Sequence, residues 1–173
     1  MKKILSIAAF LIIIFSSTGK VHSIEADIFI QSTVNRAAET LGSNLSKEER
    51  VEKLKDIARD TVDIDGIGFY SLGTHKKKLT EKQMIEYKKL FSEYFLKSFS
   101  SRLAEYSNPE IEVDSKRVIN KNYTIVSSTL IATESRPVVK IEWRVYTKDP
   151  ENLVIRDLII EGLSLRTQRE EFS

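Results

Sequence analysis

The chain has no cysteine among its 173 residues. That absence excludes a disulfide scaffold, a thiol nucleophile, a thiolate metal site and an acylated lipoprotein anchor together. Histidine is nearly missing too, with two in all, so no histidine pair at helical spacing is available to a metal. An excess of one charge is also lacking. Lys and Arg number 27 against 25 Asp and Glu, a formal net charge of +2, whereas a nucleic-acid binder normally carries a strong basic excess. There is no linker, repeat or low-complexity segment. The length suits one domain with a core that needs no staples.

Long apolar runs are absent except at the N-terminus. Met1-Lys2-Lys3 leads into a run from Ile4 to Phe15, broken only by Ser6, and a polar stretch follows to Val21-His22-Ser23. A charged start, an apolar middle and a small residue at the end make the layout of a secretory signal peptide. The run covers 12 residues, short of the roughly 20 that a membrane span needs. Cleavage is expected after Ser23, with Ala26 as the alternative, leaving residues 24–173 as an exported single domain. Removing Lys2, Lys3 and Lys20 from the 27 basic residues leaves 24 against 25 acidic ones, a net of −1. His75 then stands alone.

The next residues read as helices. Ile28, Ile30, Val34, Ala37, Ala38 and Leu41 roughly fit a helical stripe over 27–42, with Gly42 as its stop. Ser46 and Glu49 have capping-box spacing and open a second helix, whose stripe is Val51, Leu54, Ile57, Ala58 and Val62. Asp63 is the expected cap of a short helix through Gly66-Ile67-Gly68. That glycine pair is no dinucleotide fingerprint, because residue 71 is Ser where a third glycine is required. Thr80 and Gln83 form a second capping box and open a long aromatic helix to about Tyr106, ended by Asn108-Pro109.

After Pro109 the period changes to two. Strands are expected over Ile111–Ile119, Tyr123–Thr133, Pro137–Thr147 and Leu153–Ile160. In the third, Val139, Ile141, Trp143 and Val145 alternate with Lys140, Glu142, Arg144 and Tyr146. Short connections imply an antiparallel meander. Helices first and strands later is an α+β order.

The catalytic inventory is thin. His75 sits beside Lys76-Lys77-Lys78, in keeping with a solvated loop, and no nucleophile elbow accompanies it. Asp60, Asp63 and Asp65 lack the ligand ladder of a calcium loop. Asp157 and Glu161, four apart in a strand, stand about 13 Å apart by rise, too far for a retaining carboxylate pair. The aromatic helix fits either an ordinary core or the wall of an apolar cavity, since both use the same residue types.

Several stretches carry a resemblance. They are Ala38-Glu39-Thr40-Leu41-Gly42, the segment from Asp63 to Gly73, Leu79-Thr80-Glu81-Lys82-Gln83, then Phe91, Tyr94 and Tyr106, and Gln168-Arg169-Glu170-Glu171-Phe172. The most specific is Asp157-Leu158-Ile159-Ile160-Glu161-Gly162-Leu163-Ser164-Leu165. With them the chain resembles the MlaC family of periplasmic phospholipid-binding proteins, also called toluene-tolerance auxiliary proteins. The resemblance implies an α+β fold, N-terminal helices packed on a curved four-stranded antiparallel sheet enclosing an apolar cavity. It implies a non-enzymatic periplasmic carrier with phospholipid as cargo and no other cofactor. That carrier would maintain outer-membrane lipid asymmetry by moving lipid between the two membranes. The implied partners are an inner-membrane ABC transporter with an MCE-domain ring protein and an outer-membrane lipoprotein complex. Family members usually continue past the Arg-x-x-Phe region into another helix, where this sequence stops at Ser173; if that helix covers part of the cavity or a partner surface, closure or docking is expected to differ here.

Facing apolar positions mark the candidate lipid contacts as Ile67, Phe69, Phe91, Tyr94, Phe95 and Phe99 from the helices. Ile125, Val139, Ile141, Trp143, Val145 and Ile159 are their counterparts in the strands. The competing reading is an exported protein-interaction module with a packed interior and no lipid cargo.

Overall fold

The computed structural model describes residues 25–164. The expected signal peptide and the Gln168–Phe172 stretch lie outside them. Helix α1 is Ala26–Gly42. Helix α2, Lys47–Thr61, starts at a complete capping box: Ser46 Oγ accepts the Glu49 amide, and the Glu49 carboxylate accepts the Ser46 amide at 2.9 Å. Helix α3, Ile64–Ser71, is capped by Asp63, whose Oδ1 accepts the Gly66 amide at 2.9 Å. A 3-10 turn over Gly73–Lys77 leads to α4, Glu81–Leu103, which opens at the Thr80–Gln83 box. Each box satisfies amides that the first helical turn leaves unpaired.

Helix α4 ends before Tyr106. The amides of Glu105 and Tyr106 reach back three residues, to the carbonyls of Arg102 and Leu103. That tightened pattern closes a helix end rather than extending it. Asn108 then takes a positive φ of 45°, a conformation open to asparagine, and Pro109 follows.

The strands are β1 (Ile111–Asn120), β2 (Tyr123–Leu130), β3 (Val139–Tyr146), β4 (Val154–Ile160) and β5 (Leu163–Ser164). They form one antiparallel sheet in chain order. The sheet has five strands where four were expected. Glu161 and Gly162 both adopt positive φ, 49° and 81°, between the paired residues Ile160 and Leu163. Two positive φ values in a two-residue loop make a type I′ turn, which returns the chain as a tight hairpin.

Register decides which side chains share a face. Val126 pairs with Trp143, and Trp143 with Leu158; Thr124 pairs with Val145, and Leu130 with Val139. These residues face the helices. Ala26, Ile30 and Val34 of α1 pack on Val126, Val145, Leu153 and Ile155. Helix α2 lies on α1 and α4, where Leu41, Leu54 and Ala104 meet. The first expected stripe is corrected at Ile28, which is exposed. Ile28 and Ile30 stand two apart, about 200° around a helix, so one cannot share the buried face of the other.

Candidate functional site

Helix α4 carries a column of rings at steps of four. Tyr87, Phe91, Phe95 and Phe99 stack with successive centroid distances of 5.8, 6.2 and 5.4 Å. The spacing causes the stacking, because residues four apart lie one above the other on a helix. Phe91, Phe95 and Phe99 are half-buried and pack around Ala58, Ile64 and Leu96. Phe99 also reaches the sheet, where Leu130, Ile141 and Leu158 form a further apolar cluster with Val139 and Trp143 at its margin.

Helix α3 is held against this column at Gly68. A Cβ there would stand 2.6 Å from the Phe91 ring, so the close approach requires glycine. The Tyr87 hydroxyl donates to the Gly68 carbonyl at 3.0 Å and lies 2.8 Å from Ser71 Oγ. At its other end α3 is tied to the sheet. Val62 bridges Ile155, and the Asp63 amide donates to the Ile155 carbonyl. Arg156 Nε donates to Asp63 Oδ2 at 2.6 Å, its Nη1 donates to the Tyr123 hydroxyl at 3.3 Å, and the guanidinium lies 3.7 Å from the Tyr146 ring centroid. Burial works against the Arg156 charge, but the hydrogen bonds to Tyr123 and Asp63 outweigh it and hold its pKa above the ordinary value.

The twelve candidate contacts separate into groups. Phe91, Phe95, Phe99, Val139, Ile141 and Trp143 come together in the apolar clusters between α4 and the sheet. Val145 lies on the same sheet face but is wholly buried under α1. Ile67 is buried in α3. Phe69 is exposed with Lys76 Nζ 4.5 Å from its ring centroid, and Tyr94 is 70% exposed. Ile125 and Ile159 belong to the opposite sheet face, because they pair with Arg144 and Glu142 rather than with the Trp143 row. Trp143 itself is well accommodated: its indole N–H donates to buried Ser128 Oγ at 2.8 Å, the kind of partner a buried indole requires.

Residues of this apolar surface that the sequence reading passed over are Val126, Leu130, Leu158, Ile160 and Leu163. Ile160 pairs with both Ile141 and Leu163, which places the two residues on the helix-facing side. Both are exposed, Leu163 at 65%. A cavity of about 450 Å³ lies elsewhere, lined by Asp114, Ser127, Thr129, Lys140, Glu142 and Glu161 among others. Its lining mixes these charged and hydroxyl side chains with the candidate contacts Ile141 and Ile159, and it is not the apolar chamber expected between helices and sheet. Among the described residues no group of three or more His, Asp or Glu side chains is placed to hold a metal. No helix among them is long and apolar enough to cross a membrane.

A family model described as MlaC protein matches residues 31–173. The chain belongs to the MlaC family. Its fold also recurs in a solved structure, the phospholipid-binding protein from Ralstonia solanacearum determined in complex with a phospholipid at 1.53 Å. The two chains share 17% identity at a TM-score of 0.71, with 86% of this chain and 85% of that one covered. No curated protein matches. Within this MlaC-family chain the motif carboxylates are committed to structure. Asp63 caps α3 while binding Arg156. Asp157 is buried, and its two oxygens accept the Leu158 amide at 2.9 Å and the Ser164 hydroxyl at 2.6 Å. The Glu161 carboxylate accepts the Lys140 amide at 2.5 Å. The acidic motif of this MlaC-family chain therefore fastens β5 to β4 and the turn to β3.

Proposed function

We propose that the protein is a periplasmic phospholipid carrier, exported by a cleavable signal peptide, that shuttles lipid between the inner and outer membranes. In this role it takes no catalytic step. Its partners are an inner-membrane ABC transporter bearing an MCE-domain ring and an outer-membrane lipoprotein complex, and the net effect is maintenance of outer-membrane lipid asymmetry.

The observation that carries the reading is the unfinished burial of the α4 ring column. Phe91, Phe95 and Phe99 are half-buried beside an apolar sheet face that runs on to exposed Ile160 and Leu163. Such surface is costly to leave in water. Each CH₂ moved onto it contributes about 0.8 kcal/mol, so an acyl chain laid along the column covers the rings and is itself desolvated. Family membership and the phospholipid held by the Ralstonia protein of the same fold support the same cargo. A headgroup at the mouth requires only loose polar contact, in keeping with the few histidines and the committed motif carboxylates.

The test is mass spectrometry of the mature protein purified without detergent, first native and then after organic extraction. Stoichiometric phospholipid is expected. A clean apo mass, with no uptake from phospholipid vesicles, would sink the carrier reading in favour of an exported interaction module.

A further inference from the structure

We propose that the hairpin formed by α3 and the first half of α4 docks on an anionic lipid bilayer. Between Gly73 and Leu90 stand six lysines and two glutamates, while the other described residues hold 16 basic and 21 acidic side chains. One stretch is thus +4 and the remainder −5. Of the six lysines, Lys88 pairs with Asp65 at 3.1 Å, and Lys76 lies over Phe69. Lys77, Lys78, Lys82 and Lys89 are exposed and take part in no ion pair among the described residues.

The same hairpin leaves apolar side chains in water. Phe69 and Tyr70 are exposed on α3, and Ile85 and Leu90 are 64% and 56% exposed on α4. Ammonium groups beside exposed rings and branched side chains match the interfacial zone of a bilayer, where cations meet headgroup phosphates and apolar groups sit at the acyl boundary. The residue types favour a bilayer over an acidic protein. Protein interfaces are enriched in Arg and depleted in Lys, and this stretch has six lysines and no arginine. The docking surface deepens the carrier reading and rests on it: Tyr87 within this stretch and Phe91 just after it are half-buried members of the ring column, so docking brings that column to the lipid source.

The experiment is co-flotation of the mature protein with protein-free vesicles of phosphatidylethanolamine and phosphatidylglycerol, or of phosphatidylcholine alone, over a salt series. Wild type is expected to float with the anionic vesicles at low salt and to be released at high salt. Loss of one surface lysine weakens such binding roughly fivefold, so a triple variant, Lys77→Glu with Lys78→Glu and Lys82→Glu, is expected to lose at least about tenfold. An equal charge change elsewhere, Lys53→Glu with Lys121→Glu and Lys148→Glu, is expected to cost less than about twofold. Equal losses in the two triple variants, or equal binding to phosphatidylcholine, would overturn the proposal. Absence of binding to anionic vesicles at low salt also overturns it, in favour of an acidic protein on this hairpin. Phospholipid content of the same preparations is read separately, and docking without copurified phospholipid upholds the surface while removing the carrier reading.

Discussion

The apolar face of the sheet is treated differently at its two ends. Under α1 it is sealed: Ile30, Val126 and Val145 have no accessible surface. Toward α4 the same face is only partly covered, with half-buried rings above it and Ile160 and Leu163 exposed beyond. The strands offer aliphatic side chains in both places. What differs is approach. Small and branched side chains of α1 interdigitate with the strands, whereas α4 is carried on α2 and α3 and touches the sheet chiefly through Phe99. One end therefore supplies stability, and the other keeps apolar surface available.

Substitutions that part the two ends test this contrast. The largest effect is expected from Phe95→Asp, which places a charge in the ring column. It should abolish phospholipid retention, measured by organic extraction and mass spectrometry of folded protein; retention at the wild-type level would remove Phe95 from the lipid surface. Ile30→Ala at the sealed end should do the reverse, costing about 3 kcal/mol in urea unfolding with bound phospholipid retained. A loss under about 1 kcal/mol would mean that α1 does not bear the core. Asp63→Ala removes both the α3 cap and the Arg156 ion pair, and should cost about 2 kcal/mol. A double-mutant cycle with Arg156→Ala should show coupling between the two residues.

Gly68→Ala sharpens the comparison from the open side. Alanine gains about 1 kcal/mol in helix propensity, but its Cβ meets the Phe91 ring. The expected net is a destabilisation of about 1 kcal/mol and a lower phospholipid content, and a stabilised variant would show that α3 and α4 can part freely. The smallest effect concerns pH. The Ser46 amide, and then the Ser46 hydroxyl, hold the Glu49 pKa below its ordinary value. A depressed acid stabilises the fold above its unfolded pKa, and that contribution is lost as pH falls through the folded value. Glu49→Gln should therefore flatten the acid side of the stability profile slightly and leave phospholipid content unchanged.

Much of this architecture was legible in the chain. Ser46 with Glu49, Asp63, and Thr80 with Gln83 marked the helix starts, because capping is a local transaction between residues three apart. The alternation from Val139 to Tyr146 fixed the faces of β3. Other strands were ambiguous. In β2 one face offers Val126 and Leu130 and the other Ile125, so apolar counting cannot choose, and the register with β3 does. In β4 the run Leu158-Ile159-Ile160 hides the alternation, and a register shift opposite Arg144 and Val145 alters it further. Strand β5 is two residues long and depends on the positive φ of Glu161 and Gly162, too short to show a period. The stripe of α4 was visible, but whether its rings fill a core or stand open depends on how far the helix sits from the sheet.

Asp63 and Arg156 are 93 positions apart, and their clasp bears on the timing of folding. The helical half is synthesised first, while the strands that cover α1 and anchor α3 come last. Until β2 and β3 have been made, Ile30 and Val34 lack Val126 and Val145 to pack on, and until β4 has been made Asp63 has no guanidinium. Contacts this distant in sequence slow folding, because a long loop must close before they contribute. A chain whose α3 clasp waits for its last long strand stays loose while it is being made, which accords with the export proposed above.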